Sequence, residues 1–61
     1  MSSKEIIERL NQNGWTLVRV KGSHHQFKHQ SNNNVVTVKH PEKDTPKGTL
    51  ANISRKSGLK F

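Results

Sequence analysis

Residues 15–40 read WTLVRVKGSHHQFKHQSNNNVVTVKH, and the alternation within this stretch decides the fold. WTLVRVK is rich in aromatic and β-branched residues, which favour a strand. Gly22-Ser23 supplies a turn, HHQFKH alternates as a second strand, QSNNN is a polar turn cluster, and VVTVKH is a third strand closed by Pro41, which cannot continue a ladder. Three short strands joined by tight turns predict an antiparallel meander. In the second strand Phe27 is the one clear core residue, and parity carries His25 and His29 to its side while His24, Gln26 and Lys28 point the other way. With Val18 and Val20 toward the core, Leu17, Arg19 and Lys21 share the opposite face. The third strand admits two phasings, with either Val36 and Val38 or Val35 and Thr37 inward.

Helices flank this meander on both sides. Ser2-x-x-Glu5 is a capping-box pattern, Ile6, Ile7 and Leu10 follow at helical spacing, and Gly14 ends the segment. After the loop PEKDTPKGT a second helix is expected, with Thr45 as N-cap and Pro46 in the first helical position, or with Thr49 as the alternative start. Leu50 and Ile53 form its buried stripe, and Gly58-Leu59 reads as its C-cap. The order helix, strand, strand, strand, helix predicts a single α+β domain over residues 1–61. Two helices cover one face of the three-stranded sheet and leave the other open. Trp15, the first aromatic after a helix cap, is expected in the core as a lid.

Charge separates the function classes more sharply than hydrophobicity does. Lys and Arg total 11 against 4 Asp and Glu, a formal charge of +7, and no acidic residue occurs from Leu10 to Pro41. A pI near 10.5 with the imbalance concentrated in one stretch marks a binder of polyanions, nucleic acid first among them. Only 28% of the residues are hydrophobic, so a chain of this length has a thin stability margin. There is no cysteine and no apolar run long enough to span a membrane, and the N-terminus lacks the apolar core of a signal peptide. The expectation is a cytoplasmic protein without a membrane association.

Three of the four histidines fall in HHQFKH, which raises metal binding first. His25 and His29 share a face, but four residues along a strand is about 13 Å, too far for one ion. His24 and His25 point to opposite faces, and no cysteine or neighbouring carboxylate completes a set, although a site across strands with His40 is open to consideration. We expect neither metal nor cofactor. His24, on the open face with Gln26 and Lys28, is a candidate for proton transfer among phosphate binders, set against the plainer reading of a solvated surface histidine. His25 and His29 are expected to be satisfied by backbone or helix-end carbonyls, and His40, before Pro41, to fix the chain exit. Gly22 permits a turn with positive φ and leaves room for a phosphate near the backbone. The N-terminus of the second helix is a further place for a phosphate.

The combination G-W, G-S-H-H-x-F-K-H, V-T-V-x-H-P-x-K-D and G-T-L, ending at S-G-L, resembles the HicA family of toxins from prokaryotic toxin–antitoxin systems over nearly the whole chain. The element order is that of double-stranded-RNA-binding domains. The resemblance implies an mRNA interferase, a small metal-independent endoribonuclease whose catalytic histidine is His24 and whose motif glycine is Gly22. It also implies a HicB-type antitoxin that binds the toxin and masks His24. Lys39 stands where many relatives carry proline and adds charge. On this reading mRNA is the substrate, Arg19, Lys21 and Lys28 contact phosphates, and Gln26 and Gly22 complete the RNA-binding face. The expected products are a 2′,3′-cyclic phosphate and a 5′-hydroxyl, with the acid for the leaving group open among water, His29 and another group. The rival from another class is a non-catalytic double-stranded-RNA-binding-like module that uses the same face. DNA binding by this chain alone is not expected, because nothing has helix-turn-helix spacing.

Overall fold

A computed structural model describes residues 1–61. The elements run α1 (Ser3–Gln12), β1 (Thr16–Lys21), β2 (His24–His29), β3 (Asn32–Lys39) and α2 (Lys47–Ser57). The sheet is an antiparallel meander in the order β1-β2-β3, so β2 is central, and the helix-strand-strand-strand-helix order is the one expected.

Local chemistry accounts for the ends of α1. The Ser2 hydroxyl accepts the Glu5 N–H at 3.2 Å and the Glu5 carboxylate accepts the Ser2 N–H at 3.1 Å, which closes the capping box. At the other end Asn13 caps the helix and donates from Nδ2 to the Arg9 carbonyl at 2.8 Å. Gly14 follows with φ +86°, and a Cβ there would come within 2.8 Å of His29 Nε2. Glycine is therefore required twice over, by the backbone angle and by the approach of β2.

The core is one cluster of Ile6, Leu10, Trp15, Phe27, Val36, Val38 and Ile53, with Ile7, Leu50, Leu59 and Phe61 packed at its margin. Trp15 lies inside it, as expected. Phe27 pairs with Val36, and His25 with Val38, so the first of the two phasings of β3 holds. Both helices pack chiefly against β3, and this placement overturns one expectation. Val18 and Val20 are not core residues. Leu17, Val18 and Val20 are 49%, 53% and 52% exposed because β1 is an edge strand beyond the helices' cover.

A register shift between Leu17 and Arg19 corrects a second expectation. Leu17 pairs with Phe27 on the helix side of the sheet, whereas strict alternation assigned it to the open face. Val18 is the extra residue of a bulge, and past it the phase of Arg19, Val20 and Lys21 is the expected one. A third difference lies in QSNNN, which is only partly a turn. β3 begins at Asn32, where the Nδ2 groups of Asn32 and Asn34 donate to the Lys56 carbonyl in the last turn of α2 at 3.2 and 3.1 Å. These side chains hold an irregular stretch of strand against the helix end, with a register shift between Phe27 and His29.

The start of α2 also differs from expectation. Pro46 is the N-cap, Thr45 precedes the helix and Thr49 lies within it. Thr45 is drawn away because its N–H donates to the Met1 carbonyl at 2.8 Å, and a residue before proline is held in extended conformation. The same N-terminal segment is tied to this loop by Ser3 N–H to the Glu42 carbonyl, 2.8 Å, and by the Met1 amine to Asp44, 3.2 Å. At its other end α2 stops at Gly58, in left-handed conformation with its N–H on the Ser54 carbonyl, as the sequence suggested.

The capping box makes one stability contribution dependent on pH. The Ser2 backbone N–H, and then the Ser2 hydroxyl, bond to the Glu5 carboxylate and lower its pKa from an ordinary 4.5. A lowered folded pKa gives stability that is present above the unfolded value and lost as pH falls through the folded one. Glu5→Gln keeps the geometry without the titration. Wild type should therefore melt above the variant at neutral pH, with the difference closing as pH drops below about 4, measured by circular dichroism.

Candidate active site on the open sheet face

Strand pairing sorts the open face into rows. In the first, His24 sits between Lys21 of β1 and Lys39 of β3; in the second, Gln26 sits between Arg19 and Thr37. Lys28, paired with Thr16, begins a third. At about 3.3 Å per residue the rows are about 7 Å apart, and Lys28 lies about 13 Å from His24 along β2. Arg19, Lys21, His24, Gln26 and Lys28 thus share the face that alternation assigned to them. Thr37 and Lys39 complete the first two rows from β3. The turn cluster hid them, because a loop of five residues gives a different register from the two-residue turn at Gln30-Ser31 that actually joins the strands.

Gly22 and Ser23 form the two-residue turn between Lys21 and His24. Gly22 has φ +59° while Ser23 does not have a positive φ, the pattern of a type II′ hairpin. Nothing lies within 4 Å of where a Gly22 Cβ would project, so the backbone beside His24 is open to solvent and to an approaching anion.

The histidines divide clearly by their partners. His29 donates from Nε2 to the Asn13 carbonyl at 3.0 Å, accepts the Ser31 N–H on Nδ1 at 3.0 Å and lies with its ring 5.3 Å from Trp15. His25 donates from Nδ1 to the Ser23 carbonyl at 3.3 Å, and its ring meets that of His40 edge-on at 5.1 Å. His40 Nδ1 is 2.7 Å from the Ser3 hydroxyl. These three are satisfied structurally, as the sequence reading expected, and His29 is removed from consideration as a proton donor at this face. His24 alone is exposed with both ring nitrogens unengaged.

Beside His24 the sheet meets the start of α2. A depression of about 380 Å³ is lined by His24, Thr37, Lys39, Glu42, Pro46 and Thr49. The N-cap Pro46 makes no side-chain capping bond and the first turn has no acidic residue, so the Lys47, Gly48 and Thr49 amides have no helical acceptor. Those amides and the positive end of the helix dipole favour an anion. Glu42 is the one acidic residue among those that line it. Across the whole molecule the single ion pair is that between the Met1 amine and Asp44, so none of the 11 lysines and arginines is neutralised by a carboxylate.

A profile of the HicA toxins of bacterial toxin–antitoxin systems matches residues 3–59. The chain belongs to the HicA toxin family. Among solved structures, the chain is similar to one in a HicA3 and HicB3 toxin–antitoxin complex, with 31% identity, a TM-score of 0.86, and coverage of 100% of this chain and 98% of that one. None of the curated protein sequences matches significantly. The family assignment agrees with the resemblance carried by GSHHQFKH and VTVKHPEKD, and the α+β architecture of this HicA-family chain is that of the solved relative.

The turn beside His24 generates a prediction for this chain. Gly22→Ala meets no steric obstacle but forces a side chain into positive φ, at a cost of roughly 1–3 kcal/mol. Urea unfolding should show a lower midpoint with an unchanged slope.

Proposed function

We propose that this HicA-family toxin is a metal-independent endoribonuclease, an mRNA interferase, that cuts transcripts in the cytoplasm with His24 as its proton-transferring residue. The observation that carries the reading is the position of His24, free at both ring nitrogens between Lys21 and Lys39 on an otherwise basic open face. RNA carries its own nucleophile in the 2′-hydroxyl. Attack on the adjacent phosphorus requires a proton moved from that hydroxyl, cationic groups near the equatorial phosphate oxygens, and a proton delivered to the departing 5′-oxygen. Imidazole is suited to proton transfer at neutral pH. Lys21 and Lys39 flank the position a scissile phosphate would take, and the open backbone at Gly22 admits it closely. Arg19 and Gln26, one row away, and Lys28, two rows away, match the spacing of neighbouring phosphates and bases along an extended strand. The products are a 2′,3′-cyclic phosphate and a 5′-hydroxyl.

The same face is where a HicB-type antitoxin would act. The solved relative comes from a toxin–antitoxin complex, and a protein seated over Lys21, His24 and Lys39 would mask the histidine and meet a surface of unpaired cations. An acidic patch on that partner would complement it.

The deciding experiment compares wild type with His24→Ala on a single-stranded RNA in EDTA, with the product ends analysed. Wild type should cut and leave cyclic phosphate, while the variant should lose about 10²- to 10⁴-fold, the scale of one proton-transfer group. Equal cutting by both would place the chemistry on another residue. Binding by both with cutting by neither would favour the non-catalytic RNA-binding module.

A separate measurement tests the phosphate contacts. On a 2′-O-methylated RNA that resists cleavage, Lys39→Ala should weaken binding and make the slope of log K against log salt shallower by about 0.7, the value for one phosphate contact on a single strand. An unchanged slope would remove Lys39 from the interface.

A further inference from the structure

A single imidazole leaves the proposed reaction one proton-transfer group short. The 2′-hydroxyl must lose a proton and the 5′-oxygen must gain one, on opposite sides of an in-line displacement. Lysines 21 and 39 are cations suited to the phosphorane charge, and the other three histidine rings are engaged elsewhere. The acidic residues offer a clearer choice. Of the 4 in the chain, Glu5 closes the capping box, Asp44 pairs with the Met1 amine, and Glu8 lies on the exposed side of α1. Glu42 remains, and it lines the His24 depression.

Its placement is enforced from behind. The Glu42 N–H donates to the Ser3 hydroxyl at 2.8 Å and the Glu42 carbonyl accepts the Ser3 N–H at 2.8 Å, so both backbone groups are held by a residue only 1% exposed. The Ser3 hydroxyl is also 2.7 Å from His40 Nδ1, and the His40 N–H donates to the Ser23 carbonyl at 2.8 Å. A continuous chain of hydrogen bonds therefore runs from Ser23, the residue before His24, through His40 and Ser3 to Glu42. The Glu42 side chain takes no part in it. Half-buried, it accepts no hydrogen bond and forms no ion pair. A loop fixed this firmly around a carboxylate with no structural partner leaves that carboxylate available for chemistry.

We propose that Glu42 is the general base and His24 the general acid of the RNA cleavage, an assignment that rests on the nuclease reading above. The Glu42 carboxylate takes the proton of the 2′-hydroxyl as the 2′-oxygen forms its bond to phosphorus. The bond from phosphorus to the 5′-oxygen breaks, and the His24 imidazolium gives its proton to that oxygen. The 2′,3′-cyclic phosphate and 5′-hydroxyl leave, and solvent returns a proton to His24 and removes one from Glu42. The division of roles follows from the chemistry of the groups. A carboxylate is the stronger candidate for the proton-free partner at neutral pH, and imidazole readily supplies the protonated one.

The test uses two RNA substrates that differ only at the scissile 5′-oxygen, which is replaced by sulfur in the second. A thiolate departs without protonation, so the need for a general acid disappears while the need for a base remains. On ordinary RNA, His24→Ala and Glu42→Gln should each lose about 10²- to 10⁴-fold. On the 5′-thio substrate His24→Ala should recover most of its rate and Glu42→Gln should not. Melting curves that coincide with wild type establish that both variants are folded. Glu42→Gln cutting ordinary RNA at the wild-type rate would overturn the proposal, as would rescue of Glu42→Gln rather than His24→Ala by sulfur. Failure of wild type on both substrates would instead overturn the nuclease reading itself.

Discussion

Burial of Phe27 is the constraint on which the rest of this molecule depends. It sits at the centre of the central strand, packed in the core with Val36 opposite it on β3. Removing such a side chain costs about 3–5 kcal/mol, comparable to the whole stability that a core in a domain of this size supplies. The strand therefore has one acceptable phase. A slip of one residue would expose Phe27 and bury His24, Gln26 and Lys28. The requirement that fixes the core thus also fixes which imidazole is displayed, and a packing residue determines the chemistry of the opposite surface.

Display alone does not build the site, and the neighbours of β2 contribute unequally. β1 enters through a two-residue turn whose Gly22 geometry sets Lys21 directly across from His24, a local device that does not depend on the helices. β3 is aligned by Val36 and Val38 against the core, and this brings Lys39 to the other side of His24. The loop after β3 is positioned from further away. Its hydrogen bonds to Met1 and Ser3 mean that the first residues of the chain hold the wall of the depression that Glu42 and Pro46 form. The N-terminal segment is consequently part of the support of the site, and α1 links it to the core through Ile6 and Leu10.

Much of this was legible in the sequence because it rests on short-range rules. The capping box, the Gly22-Ser23 turn, the parity about Phe27 and the Gly58 cap each involve residues within a few positions of one another. The misreadings all arise from interactions between distant segments. Leu17 was misplaced because a bulge at Val18 is invisible to a period-two pattern, and Val18 and Val20 because apolar composition does not reveal that both helices settle over β3. Thr45 does not act as the cap because its N–H is taken by the carbonyl of Met1, 44 positions away in sequence and near only once the chain has folded back. For the site the same division holds. His24, Lys21 and Gln26 follow from one hairpin, whereas Lys39, Thr37 and Glu42 depend on the β3 register and on the Ser3 contacts. The stretch GSHHQFKH, which carries the family resemblance, covers the local half of the candidate site and is silent on the half that the fold assembles.

The distribution of charge explains how so basic a face is tolerated in a protein with so little core. Arg19 and Lys21 of β1 and Lys39 of β3 project on either side of β2 with no carboxylate partner, and like charges at this spacing repel. Their exposure to water and salt limits that repulsion, since screening acts over about 8–10 Å at ordinary ionic strength. Neutralising them with surface carboxylates would add little stability, because exposed ion pairs contribute about 0–1 kcal/mol, and it would cancel the field over His24. Two of the four acids serve elsewhere, Glu5 in a helix cap and Asp44 on the N-terminal amine. Unpaired cations around an unengaged histidine are a modest cost to the free protein and a strong attraction for a polyanion, which is the electrostatic ground for the RNA-binding role proposed for this face.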